Sequence, residues 1–132
     1  TAARRDKERE LLFIGGEFRA AIASYYEATP GPAKRYPKSI SELLEDARQQ
    51  VPQRHLRKIY RDPMSGSTNW GLVMLSDGAI TGIYSRSADS PLKIAGFRAG
   101  ESDFENAASY ADWKFQHRPK LMPAAMPASR RY

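Results

Sequence analysis

The stretch LLFIGGEFRAAIASYY, residues 11–26, decides the fold class. Leu11, Ile14, Phe18, Ile22 and Tyr25 recur at steps of three and four, which places them on one face of a helix. Leu12, Ala21 and Tyr26 widen that stripe. Upstream, Arg4, Arg5, Asp6, Lys7, Glu8, Arg9 and Glu10 include no apolar side chain, and their mixed signs suit a solvated helix surface. The periodicity predicts one helix over residues 3–28. Its second half is amphipathic, and its first ten residues are too polar to enter a core. At 1.5 Å per residue such a helix spans roughly 39 Å, more than a domain of this size is wide. Gly15-Gly16 inside the stripe costs about 2 kcal/mol of helix propensity relative to alanine. That predicts close packing of another element there, with a kink as the alternative.

Downstream, Thr29-Pro30-Gly31-Pro32 ends the helix. Ser39-Ile40-Ser41-Glu42 has the spacing of a capping box and predicts a short helix over 40–49, closed by Pro52. Residues 54–60 read as one helical turn or an irregular basic link. From residue 70 the period changes to two. Trp70, Leu72 and Met74 alternate with Gly71, Val73 and Leu75, Ser76-Asp77-Gly78 signals a hairpin turn, and 79–85 forms the return strand. Residues 86–109 read as a long polar loop. Residues 110–117 alternate again and predict a third strand, with Ala111, Trp113 and Phe115 on one face. The expected fold is therefore α+β: a long N-terminal helix laid on a small antiparallel sheet of about three strands. Trp70, Trp113 and Phe115 are its expected structural core.

The 132 residues fit one domain. That domain is expected over 1–117, with 1–10 continuing the helix outward and 118–132 as a basic, Pro- and Ala-rich disordered tail. The formal charge of +6 is unevenly placed. Residues 114–132 carry five basic side chains and no acid, whereas 1–113 carry 16 basic and 15 acidic ones. A near-neutral body lacks the broad basic footprint of a nucleic-acid-binding domain. Arg54, Arg57, Lys58 and Arg61 beside Tyr60, and the terminal Arg130-Arg131-Tyr132, are the basic clusters such a module would use. They read better as a surface link and a tail, so no nucleic acid is expected as a partner. No apolar run reaches the roughly 18 residues of a membrane-spanning helix.

Catalytic and metal chemistry find little support. Cysteine is absent, which excludes disulfides, thiolate metal sites and a cysteine nucleophile. No Gly-rich phosphate loop, Gly-x-Ser-x-Gly elbow or His-Glu-x-x-His is present. His55 sits among Arg54, Arg57 and Lys58 and reads as a solvated surface histidine. His117 ends a strand without a local partner. The chain is not expected to be an enzyme. Asp103, Glu105 and Asn106, with backbone carbonyls, could order the loop around calcium. A solvated acidic loop capping a short helix near Phe104 is the reading adopted, and no cofactor is expected.

Several motifs sharpen the picture. Leu56-Arg57-Lys58-Ile59-Tyr60-Arg61-Asp62-Pro63-Met64-Ser65-Gly66 leads into Asn69-Trp70-Gly71-Leu72. Gly82-Ile83-Tyr84-Ser85-Arg86-Ser87 follows, then Pro91-Leu92-Lys93, and Tyr110-Ala111-Asp112-Trp113-Lys114-Phe115 closes the set. Together, over residues 3–117, these resemble the type IV pilin-like pseudopilins of bacterial type II secretion systems. The Asp-Pro-Met-x-Gly…Trp-Gly-Leu block and the Tyr-x-Asp-Trp-x-Phe segment are the most specific parts.

The resemblance implies a structural protein, the periplasmic domain of an inner-membrane-anchored subunit. It implies a preceding basic leader and hydrophobic helix, so that 1–10 would be the middle of the long helix and this chain a soluble fragment. Its partners would be other pseudopilin subunits and inner-membrane components of the secretion system. Arg4, Arg5, Asp6, Lys7, Glu8, Arg9 and Glu10 would form the subunit-assembly surface, and reversing Glu8 and Glu10 is expected to leave the domain's own stability unchanged. Major members of the family bind calcium between the last strands. The loop here does not match that motif residue for residue, and no ligand is carried over. A minor pilin of a type IV pilus, serving adhesion, motility or DNA uptake, is the alternative within the fold. A small nucleic-acid-binding module is the alternative outside it.

Overall fold

A computed structural model describes residues 2–119. The 26-residue helix α1 (Ala2–Glu27) is followed by a single helical turn, α2 (Ser41–Leu44). Strands β1 (Gly71–Met74), β2 (Ile80–Tyr84) and β3 (Phe115–Gln116) form one antiparallel sheet in the order β1-β2-β3. The chain is α+β, with a long helix laid against a small sheet. The expected tail from residue 120 onward lies outside the described residues.

Helix α1 buries Leu11, Ile14, Phe18, Ala21, Ile22 and Tyr25, the stripe set by its period. That face rests on β2 and β3. Gly15 permits the approach: a Cβ there would lie 2.3 Å from the Phe115 ring. At Gly16, one position round, an added Cβ meets nothing within 4 Å. Close packing thus accounts for the first glycine and not the second, and α1 runs on without interruption.

Aromatic rings fill the space between helix, sheet and the 97–113 segment. Phe104 stacks on Trp113 at 5.5 Å and meets Phe115 edge-on at 5.0 Å. Trp70 packs edge-on against Phe18 at 5.2 Å. Trp70, Trp113 and Phe115 are all buried. Each such side chain contributes roughly 2–3 kcal/mol by leaving water.

The hairpin turns at Ser76-Asp77-Gly78, where Gly78 has φ +87° and donates to the Leu75 carbonyl. A bulge between Val73 and Met74 shifts the β1–β2 register. Two elements depart from their sequence signals. Helix α2 ends at Leu44, not at residue 49, because the Leu43 carbonyl accepts from the His55 and Leu56 N–H groups at 2.8 and 2.9 Å. Asp46 then pairs with Gln53 in an isolated antiparallel bridge. The capping box at Ser39 does not form. Ile40 occupies the N-cap, and Glu42 instead accepts from the Lys38 N–H and the Tyr25 hydroxyl. The third strand is only two residues long. Its first half coils into a 3₁₀ turn, Tyr110–Asp112, in which Asp112 accepts from the Ser109 N–H at 3.3 Å.

Candidate functional site

The outer face of α1 is the surface singled out by the sequence. Arg5, Asp6, Lys7, Arg9 and Glu10 are exposed there, and Asp6 pairs with Arg9 along the helix. Glu8 is a correction. It is 3% exposed, and its carboxylate accepts from the Leu92 N–H at 2.5 Å, the Lys93 N–H at 3.2 Å and the Tyr110 hydroxyl at 2.5 Å. Arg4 reaches the same place, donating through Nε to the Tyr110 hydroxyl at 3.3 Å and through Nη2 to the Ser90 carbonyl at 2.6 Å. Burial first, and then the bond to Glu8, push the Tyr110 phenol upward. A polar side chain enters the interior here because three donors wait for it. The signal was present. Extending the buried stripe back from Leu11 by three and then four residues lands on Glu8 and Arg4.

His55 is a second correction. Its side chain is 3% exposed, with Nε2 2.8 Å from Asp46 and Nδ1 2.6 Å from the Ser24 hydroxyl. Asp46 is fully enclosed and also receives Arg48 through both carboxylate oxygens, at 2.8 and 2.9 Å. The hydrogen bonds from Arg48 hold the Asp46 carboxyl well below the usual carboxylate range. Arg48 continues to the Tyr25 carbonyl at 2.7 Å and the Thr29 hydroxyl at 2.8 Å, and lies 3.6 Å over the Tyr25 ring. Burial and the bond to Glu42 push the Tyr25 hydroxyl up to about 12.

Serine, histidine and aspartate therefore stand in one hydrogen-bonded line. Nucleophilic catalysis also needs donors aimed at a developing oxyanion. Ser24 lies inside α1, where the backbone N–H groups around it are committed to helix bonds. What the line does is fasten the C-terminal end of α1 to the 46–55 segment. Its parts come from residues 24, 46, 48 and 55, and no local spacing announced it.

The acidic loop holds the 3₁₀ turn Ser102–Phe104, which buries Phe104 and leaves Asp103 and Glu105 in solvent. Asn106 is exposed at φ +58°. Among the described residues, no group of three His, Cys, Asp or Glu side chains is placed to hold a metal ion. In the basic cluster, Arg54 donates to the Arg57 carbonyl and Arg61 to the Gly66 carbonyl. Tyr60 is half-buried, meeting Phe18 edge-on at 6.3 Å with the Lys58 ammonium 5.1 Å over its ring. Arg130, Arg131 and Tyr132 lie outside the described residues.

No family model, curated protein or solved structure matches this chain. Among the described residues, no helix is long and apolar enough to cross a membrane.

Proposed function

We propose that this chain is a structural subunit of the pseudopilin kind. It assembles through α1 into a short periplasmic fibre of a bacterial type II secretion system, held at the inner membrane with other pseudopilins and inner-membrane components of the apparatus. The reading draws on the sequence resemblance and on one observation. The buried residues of α1 begin at Glu8, and around and before it Arg5, Asp6, Lys7, Arg9 and Glu10 offer solvent a mixed-charge surface. Glu8 and Arg4 hold the helix to its own domain. The surface that fits an assembly role is therefore Arg5, Asp6, Lys7, Arg9 and Glu10, where charge pattern fixes register between neighbours more than it adds affinity.

The test uses the intact gene product in its own host. A photo-crosslinking residue at Lys7 should capture a second pilin-like subunit. Reversing Arg5, Lys7 and Glu10 together should abolish both that crosslink and secretion, while the isolated domain keeps its melting temperature. Secretion that continues undiminished, with no subunit captured, would remove the assembly role.

A further inference from the structure

We propose that the groove between α1 and the 92–101 segment is a docking site for an acidic, apolar peptide segment of a partner protein. Two clefts, of about 360 and 660 Å³, meet at Arg9, Leu12 and Lys93 and make one trough along the helix. Its walls include Phe13, 61% exposed, and Leu92, 41% exposed. These large apolar groups stand in water within a concave surface. That shape suits an inserted chain segment better than a flat lipid surface.

Gly16 is the second, independent observation. It lines the trough, and nothing of its own domain lies within 4 Å of where a Cβ would be. A glycine in the middle of a helix costs about 1 kcal/mol relative to alanine. Gly15 has a reason in the Phe115 ring, whereas Gly16 has none inside the domain. Beside an exposed phenylalanine, the missing side chain lets another backbone come close to α1.

Charge selects the occupant. Arg9 is paired with Asp6, and Arg19 with the buried Glu101. Arg5 and Arg98 are exposed and have no carboxylate partner among the described residues, and the Lys93 ammonium lies 5.1 Å over the Phe97 ring. Glu17 is the one exposed acid of the trough. The surplus is positive, so a segment bearing carboxylates between apolar anchors complements it. The chain's own residues 114–132 carry no acid and do not qualify. Arg5 and Arg9 belong also to the surface given the assembly role, whereas Phe13, Gly16, Leu92 and Arg98 do not, so the Gly16 and Phe13 variants test the trough apart from assembly.

The test measures fluorescence anisotropy of a labelled synthetic peptide of about four helical turns, with leucine and phenylalanine on one face and glutamate on the other, added to the full chain. The same peptide with lysine for glutamate is the control. The acidic peptide should bind about tenfold or more tightly than the control. Gly16→Leu should weaken it about tenfold without lowering the melting temperature, and so should Arg98→Glu combined with Arg5→Glu. Binding that Gly16→Leu leaves unchanged would show generic charge attraction and overturn the proposal. So would equal binding of the control. Phe13-dependent sedimentation with phosphatidylglycerol-containing vesicles, in the absence of peptide binding, would assign the face to a membrane and overturn it as well. If Gly16→Leu unfolds the domain, Phe13→Ser decides in the same way.

Discussion

The Glu8 carboxylate and the Tyr110 hydroxyl, 102 residues apart in the chain, share a hydrogen bond inside the domain. The bond joins the first third of α1 to the turn that precedes β3, and Leu92 and Lys93 close over it with their N–H groups. The two glutamates of the charged stretch therefore differ. Glu8→Lys should cost about 3 kcal/mol or more, because it puts an ammonium among three unsatisfied donors. Glu10→Lys, at an exposed position, should stay within about 0.5 kcal/mol. Tyr110→Phe should cost about 1–2 kcal/mol. Urea unfolding of the three variants measures each value, and equal midpoints for both lysine variants would mean that Glu8 is not anchored.

Asp62 makes a comparable knot where β2 ends. Its carboxylate accepts from the Ser85 hydroxyl at 2.6 Å, the Ser65 hydroxyl at 2.9 Å and the Met64 N–H at 2.9 Å. The Asp-Pro-Met-Ser-Gly turn is pinned in this way to the residue just after β2. Asp62→Ala leaves the buried Ser85 hydroxyl without its partner and frees the half-buried Met64 N–H and the exposed Ser65 hydroxyl, and should cost about 2 kcal/mol. Ser85→Ala should cost less, about 1 kcal/mol. The double variant should fall short of the sum, since both changes break one bond. A strictly additive double-mutant cycle in denaturant unfolding would separate the two residues.

How much of this was legible follows from the range of each interaction. The period of Leu11, Ile14, Phe18, Ile22 and Tyr25 is local, and it gave α1 to within a residue at either end. The alternation around Trp70 and the Ser-Asp-Gly turn gave β1 and β2. The alternation of Ala111, Trp113 and Phe115 suggested a strand from residue 110, whereas Ser109 and Asp112 cap a local turn there. Helix α2 was overestimated because the groups that capture the Leu43 carbonyl lie a dozen residues on, beyond any local window. The same holds for His55. Its cationic neighbours in sequence suggested solvent, while Asp46 and Ser24 reach it only through the fold.

The paired glycines of α1 should separate in experiment. Gly15→Ala drives a methyl into the Phe115 ring, which is fully buried and has no room to retreat. Overpacking of that kind costs about 1–3 kcal/mol, more than the gain of about 1 kcal/mol in helix propensity. Gly16→Ala meets open space and should stabilise by up to about 1 kcal/mol. Thermal unfolding should thus move in opposite directions for neighbouring residues. A gain from Gly15→Ala would mean that α1 does not lie on β3 as described.

Acid should destabilise the domain in two separate windows. Burial holds the His117 imidazole below its ordinary value of 6.5, with Glu27 opposing, and the ring accepts or donates at the Tyr36 hydroxyl at 3.0 Å. The folded state thus favours the neutral ring. Its contribution is complete above about 6.5 and is lost as pH falls through the lower folded value. Asp46 is held below its ordinary 3.8 by Arg48. The unfolded chain takes up that proton first, so the stability Asp46 contributes is intact above about 3.8 and drains away as pH falls further. His117→Gln should flatten the first window alone. Asp46→Asn should lower stability at neutral pH and flatten the second alone. Denaturant midpoints measured from about pH 7.5 down to about pH 2 resolve the two limbs. Curves for Asp46→Asn that run parallel to the parent throughout the acid limb would show that the bond to Arg48 is not made in solution.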